Sequence, residues 1–310
     1  MRIRATVAAV TGALALSALV IPSAAQADDT HRSTVSDVAR AARSTTVGDF
    51  GAKSGARSLA VESTPGQLDL TFSKFTVNGG KPIAVGTTAT KTVPTTFTVT
   101  HAADVNIFAS DFELDVSLYR GSFSDPTNEF YGDAAPTCKA VSSTVATCKG
   151  QIAVWPQVDL IGNADATTWK AMGFAVDYNG QDPRSPDVSK IGFALQDGLG
   201  TARVQRLSKL TVDAAPEPVK KGGTITVTGK LSRANFDDLK YHGYATQPVK
   251  LQFRKKTGST YTTIKTIKSS STGTLKTTVK ATVDGYWRYS FAGTSTTPAV
   301  SAAGDFVDVK

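Results

Sequence analysis

The sequence predicts an all-β protein made of two tandem antiparallel β-sandwich domains of immunoglobulin-like type. Apolar residues recur at every second position in segment after segment, as in Phe112, Leu114, Val116 and Leu118, with Asp111, Glu113 and Asp115 between them. A period of two sends alternate side chains to opposite faces of a strand. These segments are rich in Thr, Val and Phe and are separated by Gly, Pro and Asn, which is the composition of strands and turns. After about residue 66 no amphipathic helical pattern follows.

The chain opens with Arg2 and Arg4, an apolar run from Val7 to Ile21, then Pro22 and the small-residue pattern Ala25-Gln26-Ala27. That order predicts a Sec-type signal peptide cleaved after Ala27. The run is shorter than the roughly 20 residues a bilayer span needs, and no later stretch matches it, so a secreted, extracellular protein without a membrane span is expected. Removing 27 of the 310 residues leaves 283, which at a prior of about 150 residues per domain suggests two domains. The expected layout is a signal peptide over 1–27, a flexible lead-in over 28–65, an acidic sandwich over 66–207 and a basic sandwich over 208–310. The lead-in is rich in Ser, Thr, Ala, Arg and Gly, offers one short helix around Val35 to Ala42 and shows no sustained apolar face.

Within the first domain, Leu68, Leu70 and Phe72 alternate, as do Phe97 and Val99. One face of each such strand is expected to be buried and the other wet. Cys138 and Cys148 are the only cysteines, and an even pair in an exported chain favours one structural disulfide over a redox or metal site. With Ser142, Ser143 and Thr144 midway, they suit a hairpin clamped across its strands. Ala171 to Tyr178 reads as a strand ending in the turn Asn179-Gly180, and the Pro-containing stretch from Asp182 to Asp187 as a loop.

The second domain begins near Lys209. Its apolar positions fall in short runs: Leu210 and Val212; Ile225, Val227 and Leu231; Val249, Leu251 and Phe253; Leu275 and Val279; Trp287, Tyr289 and Phe291; Val307 and Val309. About seven strands in roughly 100 residues, with a buried Trp candidate, is what an immunoglobulin-like sandwich requires. The cysteine pair of antibody domains is absent, so apolar packing must hold this core.

Residues 210–236, 247–256, 259–268 and 284–310 (LTVDAAPEPVKKGGTITVTGKLSRANF, QPVKLQFRKK, STYTTIKTIK and DGYWRYSFAGTSTTPAVSAAGDFVDVK) closely resemble the C-terminal module of a family of secreted actinobacterial two-module proteins of unknown function. FTVNGGKPIAVGTT over 75–88 and TFTVTHAADVNIFASDFELDVSLYRG over 96–121 resemble that family's N-terminal module. The resemblance implies a C-terminal immunoglobulin-like sandwich and extracellular placement, and it supplies no catalytic residues.

Groups able to do chemistry are few. The three histidines, His31, His101 and His242, are dispersed, and no nucleophile elbow, zincin helix, Walker loop or dinucleotide fingerprint occurs. A non-enzymatic protein without a cofactor is expected, with a secreted hydrolase using a distant carboxylate pair as the minor alternative. Asp111, Glu113 and Asp115, and the nearby Asp125, Asn128, Glu129 and Asp133, read as a solvated face and a polar turn rather than a calcium loop. Trp155, Trp169 and Trp287 read as core.

Two surfaces stand out. The loop from Ser232 to Gln247 carries Phe236, Asp237, Asp238, Tyr241, His242 and Tyr244. It reads either as a recognition loop at one end of the sandwich or as a plug for the open end of that same sandwich. The other surface is cationic. Residues 214–310 hold 15 Lys and Arg against 6 Asp and Glu, while residues 66–213 hold 12 against 15. Lys250 and Arg254 alternate with Val249, Leu251 and Phe253, and Tyr286 and Arg288 alternate with Trp287, Tyr289 and Phe291. Immunoglobulin-like connectivity would place these on one sheet beside Lys265 and Lys268, with Lys230, Lys276 and Lys280 facing out from the other. The charge serves either as a solubility coat or as a ligand surface. The functional expectation is a secreted, non-catalytic binding or structural protein whose partner is an anionic extracellular polymer, such as cell-wall teichoic acid, and not nucleic acid. The alternative is a protein-interaction module, an inhibitor or accessory subunit of another secreted protein, using the 232–247 loop.

Overall fold

The structure is a computed structural model that describes residues 66–183 and 186–310. The signal peptide, its cleavage point and the lead-in fall outside the described residues. Among those described, no helix is long and apolar enough to cross a membrane.

Ten strands make the first sandwich: β1 (Gly66–Gln67), β2 (Leu70–Val77), β3 (Ile83–Val85), β4 (Lys91–His101), β5 (Phe112–Gly121), β6 (Pro126–Phe130), β7 (Thr137–Ala140), β8 (Val145–Val154), β9 (Thr168–Asp177) and β10 (Gly192–Arg206). One sheet runs β1-β10-β9-β5-β6, with β3 also on β10, and the facing sheet runs β2-β4-β8-β7. The pairing is antiparallel except where β1 and β3 lie parallel to β10. Alternation builds the core between the sheets: Phe72, Phe97, Val99, Leu114 and Val116 pack at one end, and Leu118, Phe130, Ile152 and Trp169 at the other. Gly173 faces this core, and a Cβ there would strike the Phe72 ring at 2.6 Å, so glycine is what lets the sheets approach. Cys138 and Cys148 are directly opposite on β7 and β8 and form the expected disulfide.

One expectation for this sheet fails. The face of β5 turned away from the core is not wet: Asp115, Ser117 and Tyr119 are buried there. On β9 the corresponding residues Met172, Phe174 and Val176 are fully buried as well. The apolar residues at both odd and even positions of β9 mark a strand covered on two sides, a pattern that alternation in β5 obscured.

Only Leu207 separates β10 from the second sandwich, whose strands are β11 (Ser208–Leu210), β12 (Asp213–Ala215), β13 (Gly223–Asn235), β14 (Lys240–Gly243), β15 (Pro248–Lys255), β16 (Thr262–Lys268), β17 (Thr274–Ala281), β18 (Gly285–Phe291), β19 (Val300–Ser301) and β20 (Asp305–Val307). Here β11, β12, β14 and β17 all pair with β13, while the other sheet runs β16-β15-β18-β19 with β20 on β18. A parallel bridge from Val219 to Val309 ties the chain after β12 to the end of the molecule. The chain therefore crosses between the two sheets after β14, β16 and β17, which is immunoglobulin-like connectivity. Ile225, Val227, Leu231, Leu251, Trp287 and Tyr289 fill the interior, and the Tyr289 hydroxyl donates to the Val227 carbonyl at 2.9 Å. Burial raises the Tyr289 pKa above the usual phenol range, so the hydroxyl stays a donor.

The disulfide closes a loop with a sequence separation of 10, worth about 3 kcal/mol in the chain-entropy model. The double variant Cys138→Ser with Cys148→Ser is expected to lower the melting temperature by roughly 6–12 °C in calorimetry. Reduction of the unmodified protein should give the same shift.

Candidate functional site

The outer face of the sheet β16-β15-β18 carries a stacked row of rings and guanidinium groups. Register puts Gln252 opposite Arg288, Arg254 opposite Tyr286, and Tyr286 opposite Phe306 on β20. All of these alternate with core residues, so all project outward. The Phe306 and Tyr286 rings lie 5.2 Å apart, and the Arg254 guanidinium sits 4.2 Å from the centre of Tyr286. Tyr261, just ahead of β16, lies 5.3 Å from Arg254 on one side and 3.8 Å from Arg288 on the other. Arg254 donates to the Gly258 carbonyl at 2.7 Å, and Arg288 Nε donates to Gln252 Oε1 at 2.9 Å. A Cβ on Gly304 would collide with the Tyr261 hydroxyl, so a glycine there makes room for the ring.

The alternation of ring and cation stiffens both. Each stacked pair contributes about 0.5–1 kcal/mol at a partly exposed site, and the five side chains shield one another to half-burial. Arg keeps its charge and has donors left over after these contacts. The result is a row of two fixed guanidinium groups, Arg254 between two rings and Arg288 on one, with the exposed Lys250, Lys255 and Lys256 around it. Such a row can grip a chain that offers repeated anionic oxygens.

Sequence placed Lys250, Arg254, Tyr286 and Arg288 on this sheet correctly, and it missed Gln252, Tyr261 and Phe306. Phe306 was legible, because it neighbours the core residue Val307 and so must face outward. Tyr261 was not, since it lies outside the strand and no period applies to it. Lys268 is exposed on edge strand β16, one register step from Lys250. Lys265 is a correction: it pairs with the inward-facing Leu251, and its ammonium donates to the Thr278 carbonyl on β17 at 2.7 Å. It bridges the open side of the sandwich and is not part of the outer row. Lys276 and Lys280 are exposed on the other sheet, as expected.

The 232–247 segment is also corrected. It is not a loop but a hairpin, with β13 and β14 paired from Ser232–Gly243 to Asn235–Lys240. Phe236 at its tip is 2% exposed and belongs to the core of the first sandwich, together with Trp169, Phe130 and Leu118. It plugs the neighbouring sandwich rather than its own. The receiving end is built by Asp165, which is fully buried, pairs with Arg120 at 2.9 Å and accepts from the Ile161 amide at 2.8 Å. Asn163 beside it accepts from the Phe236 amide at 3.0 Å, and its own amide donates to Asp237 at 2.9 Å. Tyr241 packs against the same core under the Lys209 ammonium, and burial raises its pKa. Tyr244 lies edge-on to Phe291 beneath the Arg233 guanidinium. Asp237 is exposed while it accepts from Asn163, and Asp238 and His242 stand in solvent as a 2.6 Å pair, whose hydrogen bond lowers the Asp238 pKa.

Other groups are dispersed. Asn128 donates to the Asp159 carbonyl and Asp133 accepts from Trp155, so the acidic turn residues serve separate structural bonds. Trp155 itself is 39% exposed, unlike the buried Trp169 and Trp287. His101 is buried with Nδ1 at 2.9 Å from the Ala102 carbonyl. Among the described residues no group of three or more His, Cys, Asp or Glu is placed to hold a metal ion.

No protein-family model matches the chain, and no curated protein matches it. Among solved structures it is similar to FdeC, an Escherichia coli adhesin, at 11% identity and a TM-score of 0.28 over 81% of this chain and 66% of that one. The mouse nectin-like molecule 4 ectodomain aligns at 12% identity and a TM-score of 0.23 over 78% of this chain and 65% of that one. The D00-D0 domain of intimin aligns at 14% identity and a TM-score of 0.24 over 75% of this chain and 98% of that one. The chain thus spans slightly less than two thirds of the first two, and no residue role is transferred from any of them.

Truncating the tip of the hairpin tests the seam between the sandwiches. Phe236→Ala is expected to cost about 3–5 kcal/mol and to split one calorimetric transition into two. Phe236→Leu, which keeps most of the volume, should cost less than about 1.5 kcal/mol and leave a single transition.

Proposed function

We propose that this chain is a secreted, non-catalytic binding protein that holds an anionic extracellular polymer on the outer sheet of its second sandwich. One observation carries the reading: the alternating row Phe306, Tyr286, Arg254, Tyr261 and Arg288, in which Arg254 is fixed between two rings and Arg288 is held between the Tyr261 ring and Gln252. A charge coat for solubility needs no such order. Its Lys residues stand free in water, as Lys276 and Lys280 do on the opposite sheet. Rings with flanking guanidinium groups suit a polymer whose repeat carries both a phosphate and an apolar or sugar edge, and cell-wall teichoic acid has that chemistry. The surplus of positive charge in residues 214–310 draws such a chain to this half of the molecule. The disulfide accords with an oxidising compartment. The reading in which the 232–247 segment recruits another secreted protein loses its aromatic contacts, because Phe236 and Tyr241 are used inside the molecule.

The test is retention of the mature protein on purified Gram-positive cell walls. Retention should fall steeply as salt rises from 50 to 500 mM, because attraction at an exposed surface is screened. Arg254→Ala with Arg288→Ala should weaken it about tenfold or more through loss of charge-assisted contacts, while Lys276→Ala with Lys280→Ala changes it little. Retention that is indifferent to salt, or that survives removal of both arginines, overturns the proposal.

A further inference from the structure

The second sandwich is open along the side where β16 and β17 face each other, since each pairs with one strand only, β15 and β13 respectively. A cavity of about 350 Å³ lies in that opening, within the range of about 300–1,000 Å³ that small-molecule sites occupy. Its walls are largely apolar, with Phe253, Trp287 and Ile264 from one sheet and Val279 from the other. The β15–β16 register slips by one residue between Leu251 and Gln252, which leaves Ile264 as the extra, unpaired residue of a bulge. Lys265 and the exposed Lys280 complete the lining.

Two features of this cavity go unexplained by packing alone. The Trp287 indole nitrogen is buried and has no acceptor in the protein, whereas Trp169 donates to the Asp165 carbonyl at 2.8 Å and Trp155 donates to Asp133. A buried donor is ordinarily satisfied. Lys265 stands opposite the core residue Leu251, an inward position that calls for an apolar side chain. Its ammonium donates to the Thr278 carbonyl at 2.7 Å, which leaves donors to spare. An inward lysine does guard an open edge against pairing with another chain. That role requires neither a cavity behind the lysine nor an unmatched indole N–H.

We infer that this cavity binds a small carboxylate with an apolar body, such as a medium-chain fatty acid or an aryl carboxylate. The body lies between the Phe253 and Trp287 rings on one side and Val279 on the other, where its apolar surface leaves water. The carboxylate meets the Lys265 ammonium, with Lys280 adding a second positive charge, and one of its oxygens accepts from the Trp287 indole. Each unexplained feature then has a partner: the inward cation faces an anion, and the buried donor gains an acceptor. Charge-assisted bonds of this kind favour the ionised ligand over a neutral one of the same shape. Apolar walls with so few donors suit a carboxylate better than a bare phosphate. The site is separate from the polymer surface, because Phe253 and Trp287 alternate with Arg254 and Arg288 along their strands and so face the opposite way.

Titration of the mature protein with octanoate, followed by nuclear magnetic resonance of isotope-labelled indole N–H groups, decides it. The chain has three tryptophans, and Trp287→Phe identifies which signal belongs to Trp287. That signal should move downfield and saturate below about 10 mM octanoate, while those of Trp155 and Trp169 stay in place. Acetate, which lacks the body, and octanol, which lacks the charge, should each bind at least about tenfold more weakly. Lys265→Met with Lys280→Met should weaken octanoate about tenfold. Ile264→Trp, which fills the cavity without altering a charge, should abolish the shift, with circular dichroism showing both variants folded. Arg254→Ala with Arg288→Ala should leave octanoate binding unchanged, so failure here and failure of the polymer reading are told apart. An unmoved Trp287 signal, or octanol binding as tightly as octanoate, overturns the inference. So does an extended peptide that protects the β16 and β17 edge amides from exchange while octanoate has no effect, since a strand would then be the occupant.

Discussion

A single residue, Leu207, lies between the last strand of one sandwich and the first strand of the next, and the rest of the arrangement follows from that lack of slack. Two sandwiches joined so tightly cannot be separated by solvent, so their facing ends must satisfy each other's polar groups and fill each other's gaps. The Leu207 amide donates to the Val85 carbonyl in the first sandwich, and the Leu207 carbonyl accepts from Ala234 in the second. Arg206 carries its amide to Thr296 and its side chain to the Ala234 carbonyl at 2.6 Å. Partial burial, with Arg233 close by, lowers the Arg206 pKa from its high normal value. The bond to a carbonyl offsets part of that desolvation.

This constraint explains why the longest apparent loop of the second sandwich misled sequence reasoning. Strand periodicity located β2, β4, β5 and β9 and most strands of the second sandwich, while β3, β6, β10 and β14 went unread; where it worked, it did so because alternation is a local property and survives any choice of partner. It cannot say what lies across a seam. Phe236 looked like a loop aromatic because its neighbours Asp237 and Asp238 are polar, yet those neighbours are polar in order to meet Asn163 and His242. The same blindness appeared on β5, where Asp115 alternates with apolar residues as a solvent-facing residue would. Its burial comes from chain outside its own strand, with Gly132 after β6 beside its carboxylate, information that no single strand contains.

The face of rings and guanidinium groups shows the complementary case. Register and alternation placed four of its residues, since outward positions on paired strands must form rows. What turned a scattering of charges into an ordered row was Tyr261, positioned by a bend before β16 and admitted by the bare backbone of Gly304. Contacts of that kind arise from loop geometry and lie beyond any pattern of spacing. Choice of residue also matters here. Arg254 stacks between two rings and still presents donors outward, whereas Lys209 and Lys256 each lie over a single ring.

The plugging of one sandwich by a side chain from the other has a bearing on how this architecture can be inherited or engineered. A cut at residue 207 would leave one fragment wearing a naked phenyl ring and the other with a ring-shaped hole beside Trp169. Neither half is a free-standing cassette. Shuffling, grafting or fusion would have to move the pair together, so the heritable unit of this molecule is larger than the unit its sheets outline.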